Sequence, residues 1–264
     1  MIRRPSTALF LALLITFAGA SANAAGPGDA GTVRPRLALI IDDLGQHPSR
    51  DRQVLALPGP VALSILPDTP HATSLAREAE AQGKTVMLHL PMDPATGPFA
   101  WHPGMTEQEL AKRLEAALAV VPNAEGLNNH MGSRMTEQRA AMAWLMKTLQ
   151  DRHLYFVDSR TSAATVAAAE AQRIGLASLS RDVFLDDDQS PDAVAHQYQT
   201  ALSMARKYGS VVMIGHPHPS TLAVLQRELP RLADQGIELI SVDMMIAVRA
   251  NRAMPAHGRN GIYR

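Results

Sequence analysis

The chain contains no cysteine. That absence removes any disulfide framework, any thiolate nucleophile and any cysteine-ligated zinc site. Nor is there an excess of either charge: 25 basic and 25 acidic residues leave a formal net charge of zero. The basic footprint that a nucleic acid or another acidic polymer would require is therefore missing. No G-x-G-x-x-G closes the first apolar run, and no P-loop pattern occurs. Dinucleotide and P-loop nucleotide chemistry are set aside on that ground. There is no repeat of fixed period, and the one compositionally biased block is Ala-rich, over residues 162–173.

What is present is an apolar fraction of 46% in 264 residues, enough for one sizeable core. The first residues read as an export signal. Arg3 and Arg4 make a short positive region, residues 8–20 are apolar, and Ala22-Asn23-Ala24 is a small-x-small cleavage pattern before Ala25. The apolar run is short for a membrane span, although an uncleaved anchor is the alternative. No other stretch is long and apolar enough to cross a bilayer. The expected division is a signal peptide over 1–24, a flexible leader over 25–35, one domain over 36–249 and a polar, disordered tail over 250–264. The mature protein is then exported without a stable membrane span: periplasmic if the source has an outer membrane, secreted otherwise. The oligomeric state is left open.

Within the domain, apolar runs alternate with helical segments about eight times, the pattern of a parallel sheet covered by helices. Strands are expected at 37–41, 61–66, 85–90, 126–133, 154–157, 176–179, 211–214 and 237–242. Thr106 and Glu109 form a capping box, and Ser190-Pro191 opens another helix. The long Pro- and Gly-rich loop over 91–104 reads as functional or as a lid. A distorted or incompletely closed (β/α) barrel fits this order.

The polar residues at the ends of these strands carry the chemistry. The first strand runs into Asp42 and Asp43, two adjacent carboxylates that must be solvated, paired or bound to a cation. His89 ends the third strand, His130 the fourth, Asp158 the fifth, and His216 and His218 the seventh. In a parallel sheet all of these gather at the carboxyl rim, where ligands bind. His and Asp donors with an open position suit a catalytic divalent metal, with Zn2+ favoured. Each also has a plainer reading. The Asp pair can cap a turn, His89 can be a core histidine, Asp158 can cap a helix and the His216-Pro217-His218 loop can be surface. Asp186-Asp187-Asp188 reads as a solvated acidic turn, and the remaining histidines as structural or exposed.

Five motifs in order resemble the divergent polysaccharide deacetylase family: Ile41-Asp42-Asp43-x-Gly45, His89-Leu90-Pro91-Met92, Asn128-Asn129-His130-Met131-Gly132-Ser133, Phe156-Val157-Asp158-Ser159 and Gly215-His216-Pro217-His218-Pro219. The resemblance implies the glycoside hydrolase/deacetylase superfamily, a distorted (β/α) barrel of about seven to eight parallel strands, and a divalent metal. It assigns Asp42 as general base, Asp43 as metal ligand, and His216, with His218 close behind, as general acid. The better-studied members place their metal histidines in an H-x-x-x-H motif, which this chain lacks. His89 and His130 take that role here by position. Asp158 is expected to orient a histidine, Trp101 to offer a sugar-stacking platform (or a buried loop anchor), and Asn129 to bind substrate. The implied reaction is metal-assisted hydrolysis of N-acetyl, or O-acetyl, groups on an envelope or extracellular glycan. The alternatives are a non-catalytic barrel that binds glycan or an envelope partner, and a hydrolase of another ester or amide.

Overall fold

The structure, a computed structural model, describes residues 34–253. The expected signal peptide, almost all of the leader and the tail beyond residue 253 lie outside the described residues. Among the described residues no helix is long and apolar enough to cross a membrane.

The apolar runs form the strands, and the helices return the chain so that every pairing is parallel. In order these are β1 (Arg36–Leu44), α1 (Pro48–Leu55), β2 (Ala62–Ile65), α2 (Ala72–Ala81), β3 (Val86–Met92), α3 (Glu107–Val120), β4 (Gly126–Met131), α4 (Arg139–Asp151) and β5 (Tyr155–Asp158). There follow α5 (Ala167–Arg173), β6 (Ser178–Ser180), β7 (Val183–Phe184), α6 (Pro191–Tyr208), β8 (Ser210–Gly215), α7 (Pro219–Glu228), β9 (Glu238–Leu239) and α8 (Val242–Ala253). The ladder runs β6-β5-β4-β3-β2-β1-β8-β7. Its two edges are joined by one stretch of chain. Asp158 O accepts from Arg181 N at 3.0 Å, while Val212 O accepts from Asp182 N at 2.9 Å. Within two consecutive residues the chain therefore passes from β5 to β8. No ladder joins β6 to β7, and the result is the distorted, incompletely closed (β/α) barrel that the alternation predicts.

Residues two apart on a strand share a face. Ala38 and Ile40 of β1, Ala62 of β2, Met87 of β3, Tyr155 and Val157 of β5, and Val212 and Ile214 of β8 fill the barrel interior. Leu37, Leu39, Ile41, Leu63, Leu88, Phe156 and Met213 face outward, into the layer covered by helices. The Thr106 capping box forms as expected: Glu109 N donates to Thr106 Oγ1 at 3.3 Å and Thr106 N donates to Glu109 Oε2 at 2.8 Å.

The last third departs from the sequence reading. Pro230, which cannot continue a helix, leaves α7 ending at Glu228 and a 3-10 turn over Leu229–Arg231. The final strand shrinks to Glu238–Leu239, paired with the first residues of β1. The chain then turns into α8, a helix the strand pattern did not suggest. Val242, Met245 and Val248 of α8 join the interior cluster. Val242 closes the expected strand but opens this helix, and with Met245 and Val248 it fills the barrel floor without leaving an unpaired strand edge.

Candidate metal and acid–base site

Two adjacent residues on a strand normally face opposite ways, so Asp42 and Asp43 should not share a site. They do because β1 is irregular there. From Ile41 to Leu44 it advances three residues while β2 advances two, from Leu63 to Ile65. Asp43 occupies the extra position with φ of 58°, a left-handed conformation that Asp tolerates better than most residues. The turn is completed by Gly45, at φ of 102°, where a Cβ would stand 2.2 Å from Thr69 Oγ1. The bulge lets Asp42 keep the interior parity of Ala38 and Ile40 while Asp43 swings onto the same rim.

Asp42 is almost wholly buried, at 2% exposure. Its Oδ1 accepts from Asn128 Nδ2 at 2.8 Å. Asn128 is the hub of the floor beneath the site. Its Oδ1 accepts from Ser64 Oγ at 2.6 Å and faces His89 Nδ1 at 2.7 Å. Because the Asn128 amide nitrogen is held by a carboxylate, its oxygen must face His89, so His89 Nδ1 carries the proton. In the neutral ring, His89 Nε2 then presents a lone pair to Asp43 Oδ1 at 3.2 Å and to Asp42 Oδ2 at 3.6 Å. His130 Nδ1 reaches the same Asp43 oxygen at 2.8 Å and lies 3.2 Å from His89 Nε2.

An unprotonated nitrogen against a carboxylate oxygen is repulsive unless a proton or a cation lies between them. Burial alone would lower the His89 pKa, but the charge of Asp42 and the hydrogen bond to Asp43 outweigh it and raise it. Burial likewise opposes ionisation of Asp43, yet its bonds to His130 and His89 hold its pKa far below the usual carboxylate range. Asp43, His89 and His130 offer three ligand atoms within reach of one ion. Their separations of 2.8, 3.2 and 3.2 Å are close to the edge of about 3.3 Å of a tetrahedron built on zinc bonds of about 2.0 Å. The donor set fits a divalent metal with an open position.

A second acid–histidine cluster faces the first. His216 Nδ1 lies 2.9 Å from Asp186 Oδ1, and its backbone N donates to Asp186 Oδ2 at 2.6 Å. Thr221 Oγ1 donates to that same oxygen at 2.7 Å. Gly215 permits this approach, since a Cβ there would stand 3.0 Å from Leu185 and 3.3 Å from Asp186 Oδ2. Burial would lower the His216 pKa, but the bond to Asp186 and the charges of Asp42 and Asp43 raise it to about 9. His216 Nε2 then points a proton towards Asp43 Oδ2, 3.8 Å away. His218 behaves oppositely: burial, with the charges of His216 and Arg50, lowers its pKa and keeps it neutral. Asp186, His216 and His218 also place three ligand atoms within 4.8 Å of one another. Both Asp186 oxygens are already engaged, however.

The structure thus gathers Asp42, Asp43, His89, His130 and His216 at one rim, with His218 beside His216 at 5.7 Å between ring centroids. Three assignments are corrected. Asp158 touches no histidine: it lies on the outward face of β5, where it accepts from Arg160 N at 2.8 Å and Thr165 Oγ1 at 3.0 Å. The carboxylate that orients a histidine is Asp186, from the triplet read as a solvated turn. It is 3% exposed. Trp101 has no exposed surface. It is the anchor of its loop, with Trp101 N donating to Pro91 O and Asp93 N donating to Trp101 O, and it packs at 5.9 Å from Trp144. The loop over 91–104 is therefore pinned to the barrel rather than built as a lid. Asn129 is buried and committed, with its Oδ1 accepting from Ser159 N and its Nδ2 donating to Met131 O; its neighbour Asn128 faces the site.

Parity was the available signal. On β4, Asn128 shares a face with His130 and Asn129 does not; on β5, Asp158 shares a face with Phe156. Asp186 has the parity of Phe184, whose ring lies 5.2 Å from that of His216. A strand of two residues is too short for periodicity to reveal this.

A half-buried Asp and two histidines that could hold one cation, with a carboxyl group and a proton-holding imidazole beside them, stand together at the carboxyl rim of a (β/α) barrel. Residues 39–246 match the model of the divergent polysaccharide deacetylases, and the chain belongs to that family. It is 39% identical over 211 residues to an uncharacterised protein of Haemophilus influenzae, covering 78% of this chain and 75% of the relative. It is 41% identical over 196 residues to the uncharacterised protein YibQ of Escherichia coli K12, covering 73% of this chain but only 61% of the relative's length. Among solved structures, an uncharacterised protein of Agrobacterium tumefaciens C58 superposes with a TM-score of 0.77 at 21% identity, over 82% of this chain and 91% of that one. The peptidoglycan deacetylase PdaC of Bacillus subtilis, as a mutant, shares the fold at TM-score 0.55 and 12% identity, over 87% and 98%.

Proposed function

We propose that this protein is an exported, metal-dependent deacetylase that hydrolyses N-acetyl (or O-acetyl) groups on an envelope or extracellular glycan. The observation that carries the reading is the placement of a carboxyl group and a proton-holding imidazole on either side of Asp43. Asp42 is a carboxylate with one oxygen free of hydrogen-bond donors, and His216 is an imidazole held protonated by Asp186. Asp43, His89 and His130 would hold the metal, with Zn2+ favoured. When bound, such an ion polarises a carbonyl and makes a nearby water more acidic.

The chain's own groups then divide the work. Asp42 accepts a proton from the attacking water through Oδ2, while Asn128 fixes its other oxygen. The resulting hydroxide adds to the acetyl carbonyl, and the bond from carbon to nitrogen breaks. His216 gives its Nε2 proton to the departing amine, and Asp186 stabilises the imidazolium beforehand. His218, kept neutral, is the weaker candidate for that acid. Burial of Asp42 and His89 excludes water from the floor and strengthens each of these interactions.

The test is acetate release from chitooligosaccharides and peptidoglycan fragments by the metal-loaded protein. Asp42→Asn should lower the rate by about 10²–10⁴-fold with metal content unchanged. Undiminished activity in that variant would remove Asp42 from the base role. Export predicts that protein recovered from the envelope begins at Ala25, which mass spectrometry of its N-terminus reads directly; retention of residues 1–24 would favour an anchor.

A further inference from the structure

The rim has a second concavity that the reaction above does not use. A cleft of about 560 Å³ is lined by Arg160, Thr161, Arg181, Phe184, Gln197 and Thr200 among others. Phe184 joins it to the proposed acid, since its ring is also the neighbour of His216. Arg181 is fixed from three sides. Its Nε donates to Ser159 O at 2.6 Å, its Nη2 donates to Arg160 O at 2.9 Å, and its guanidinium lies 4.8 Å over the Phe184 ring. A guanidinium has five donors, and the remaining ones have no partner among the described residues. Arg160 is held beside it at φ of 52° by the bond from its backbone N to Asp158. Neither guanidinium has a carboxylate at ion-pair distance among the described residues. The acidic residues lining the cleft are Asp182, which is engaged by Arg249, and the exposed Asp187; Asp158 and Asp42 also act on Arg181 through their charge, without reaching ion-pair distance.

A guanidinium that is partly desolvated, rigid and short of acceptors is pre-organised for an oxyanion, because little side-chain entropy remains to be lost on binding. Two of them side by side repel each other until an anion arrives. We infer that the Arg160–Arg181 cleft binds an oxyanion substituent, a carboxylate or a phosphate, carried by the glycan whose acetyl group occupies the rim. The substrate class is then an acidic amino-sugar polymer rather than a neutral one. This rests on the glycan reading proposed above, and it gives Asp158 a role as the residue that positions Arg160.

The experiment is calorimetric binding of three ligands to the full mature chain: neutral chitobiose, a disaccharide containing N-acetylmuramic acid, and 6-phosphorylated chitobiose. One charged ligand should bind at least about tenfold more tightly than chitobiose, with the advantage shrinking as salt rises. Which one it is separates carboxylate from phosphate. Arg160→Gln and Arg181→Gln should each remove most of the advantage. Should Arg181→Gln fail to fold for want of its two carbonyl contacts, Arg160→Gln decides alone, because its guanidinium supports no backbone. Equal binding of the three ligands, binding of none, or an advantage that survives Arg160→Gln overturns the inference. A charged-ligand preference without acetate release would leave the cleft standing and sink the deacetylase reading instead.

Discussion

The two acid–histidine clusters at the rim are built from the same residue types and are arranged for different tasks. In the first, Asp43 faces two imidazoles whose nitrogens lie 3.2 Å apart, and the hydrogen bond fixed by Asn128 keeps the Nδ1 proton of His89 on the floor and aims its Nε2 at Asp43. In the second, Asp186 is saturated by His216 and Thr221, and His216 keeps its proton. One cluster is therefore in a state to take a cation, and the other has a proton to give. Composition does not distinguish them. The difference lies in the second partner of each histidine: an amide oxygen beneath His89, a carboxylate beneath His216. A hydrolytic site needs both states within a few ångströms, and a shared neighbour, Asp43, lies between them.

The contrast can be attacked from either cluster. Asp43→Ala should have the largest effect. It removes the only carboxylate of the metal set and should abolish stoichiometric metal, measured by elemental analysis of protein prepared in trace zinc, together with nearly all acetate release. Wild-type protein that carries no metal under the same conditions would dissolve the distinction between the clusters.

Asp186→Asn should act on the other side. Metal content should stay stoichiometric while acetate release falls by about 10- to 100-fold. In metal-stripped protein, the His216 titration followed by NMR should move down from about 9. The sign follows from linkage. The folded-state pKa lies above the ordinary 6.5, so the pairing stabilises the fold fully below 6.5 and that contribution is lost as pH rises through about 9. Asp186→Asn should flatten this part of the stability profile; an unchanged profile would mean that Asp186 does not hold the proton on His216.

Asp158→Asn should have the smallest effect on chemistry. It lies on the far face of β5, and the variant should lose about 1 kcal/mol of stability in urea unfolding, from weakened bonds to Arg160 N and Thr165. Acetate release from a neutral glycan should change by less than about twofold. A large loss there would place Asp158 back among the groups that touch the reaction.

Much of the barrel was legible because strand and helix signals are local. Apolar runs such as Leu37 to Ile41, the Thr106 capping box and the break at Pro230 each act within a few residues of themselves. The ligand types at the rim were legible for the same reason: Asp42, Asp43, His89, His130 and His216 all stand where an apolar run stops. Faces were less legible. Asn129 and Asp158 read as site residues because they adjoin one, and a strand's period of two sends both away. Trp101 reads as a sugar platform because aromatics in loops often are, yet packing against Trp144 and its backbone bonds to Pro91 and Asp93 bury it. Asp186 was hidden by the brevity of β7, and α8 by apolar residues that suit a strand as well as a helix.

Asp42 and Asp43 mark the limit between the two kinds of information. That a buried strand ends in two carboxylates needing a cation or a proton follows from the order of residues alone, since burial and like charge are costly in any fold. That both reach one site depends on the extra residue accommodated between Ile41 and Leu44, a matter of how β1 registers on β2. Which histidine turns its Nε2 to a shared donor set and which is held protonated depends on Asn128 and Asp186, which stand 86 and 30 positions away from Asp42 and His216. Chemical type is a local property of the chain, whereas proton state is set by whatever the fold brings within hydrogen-bond reach.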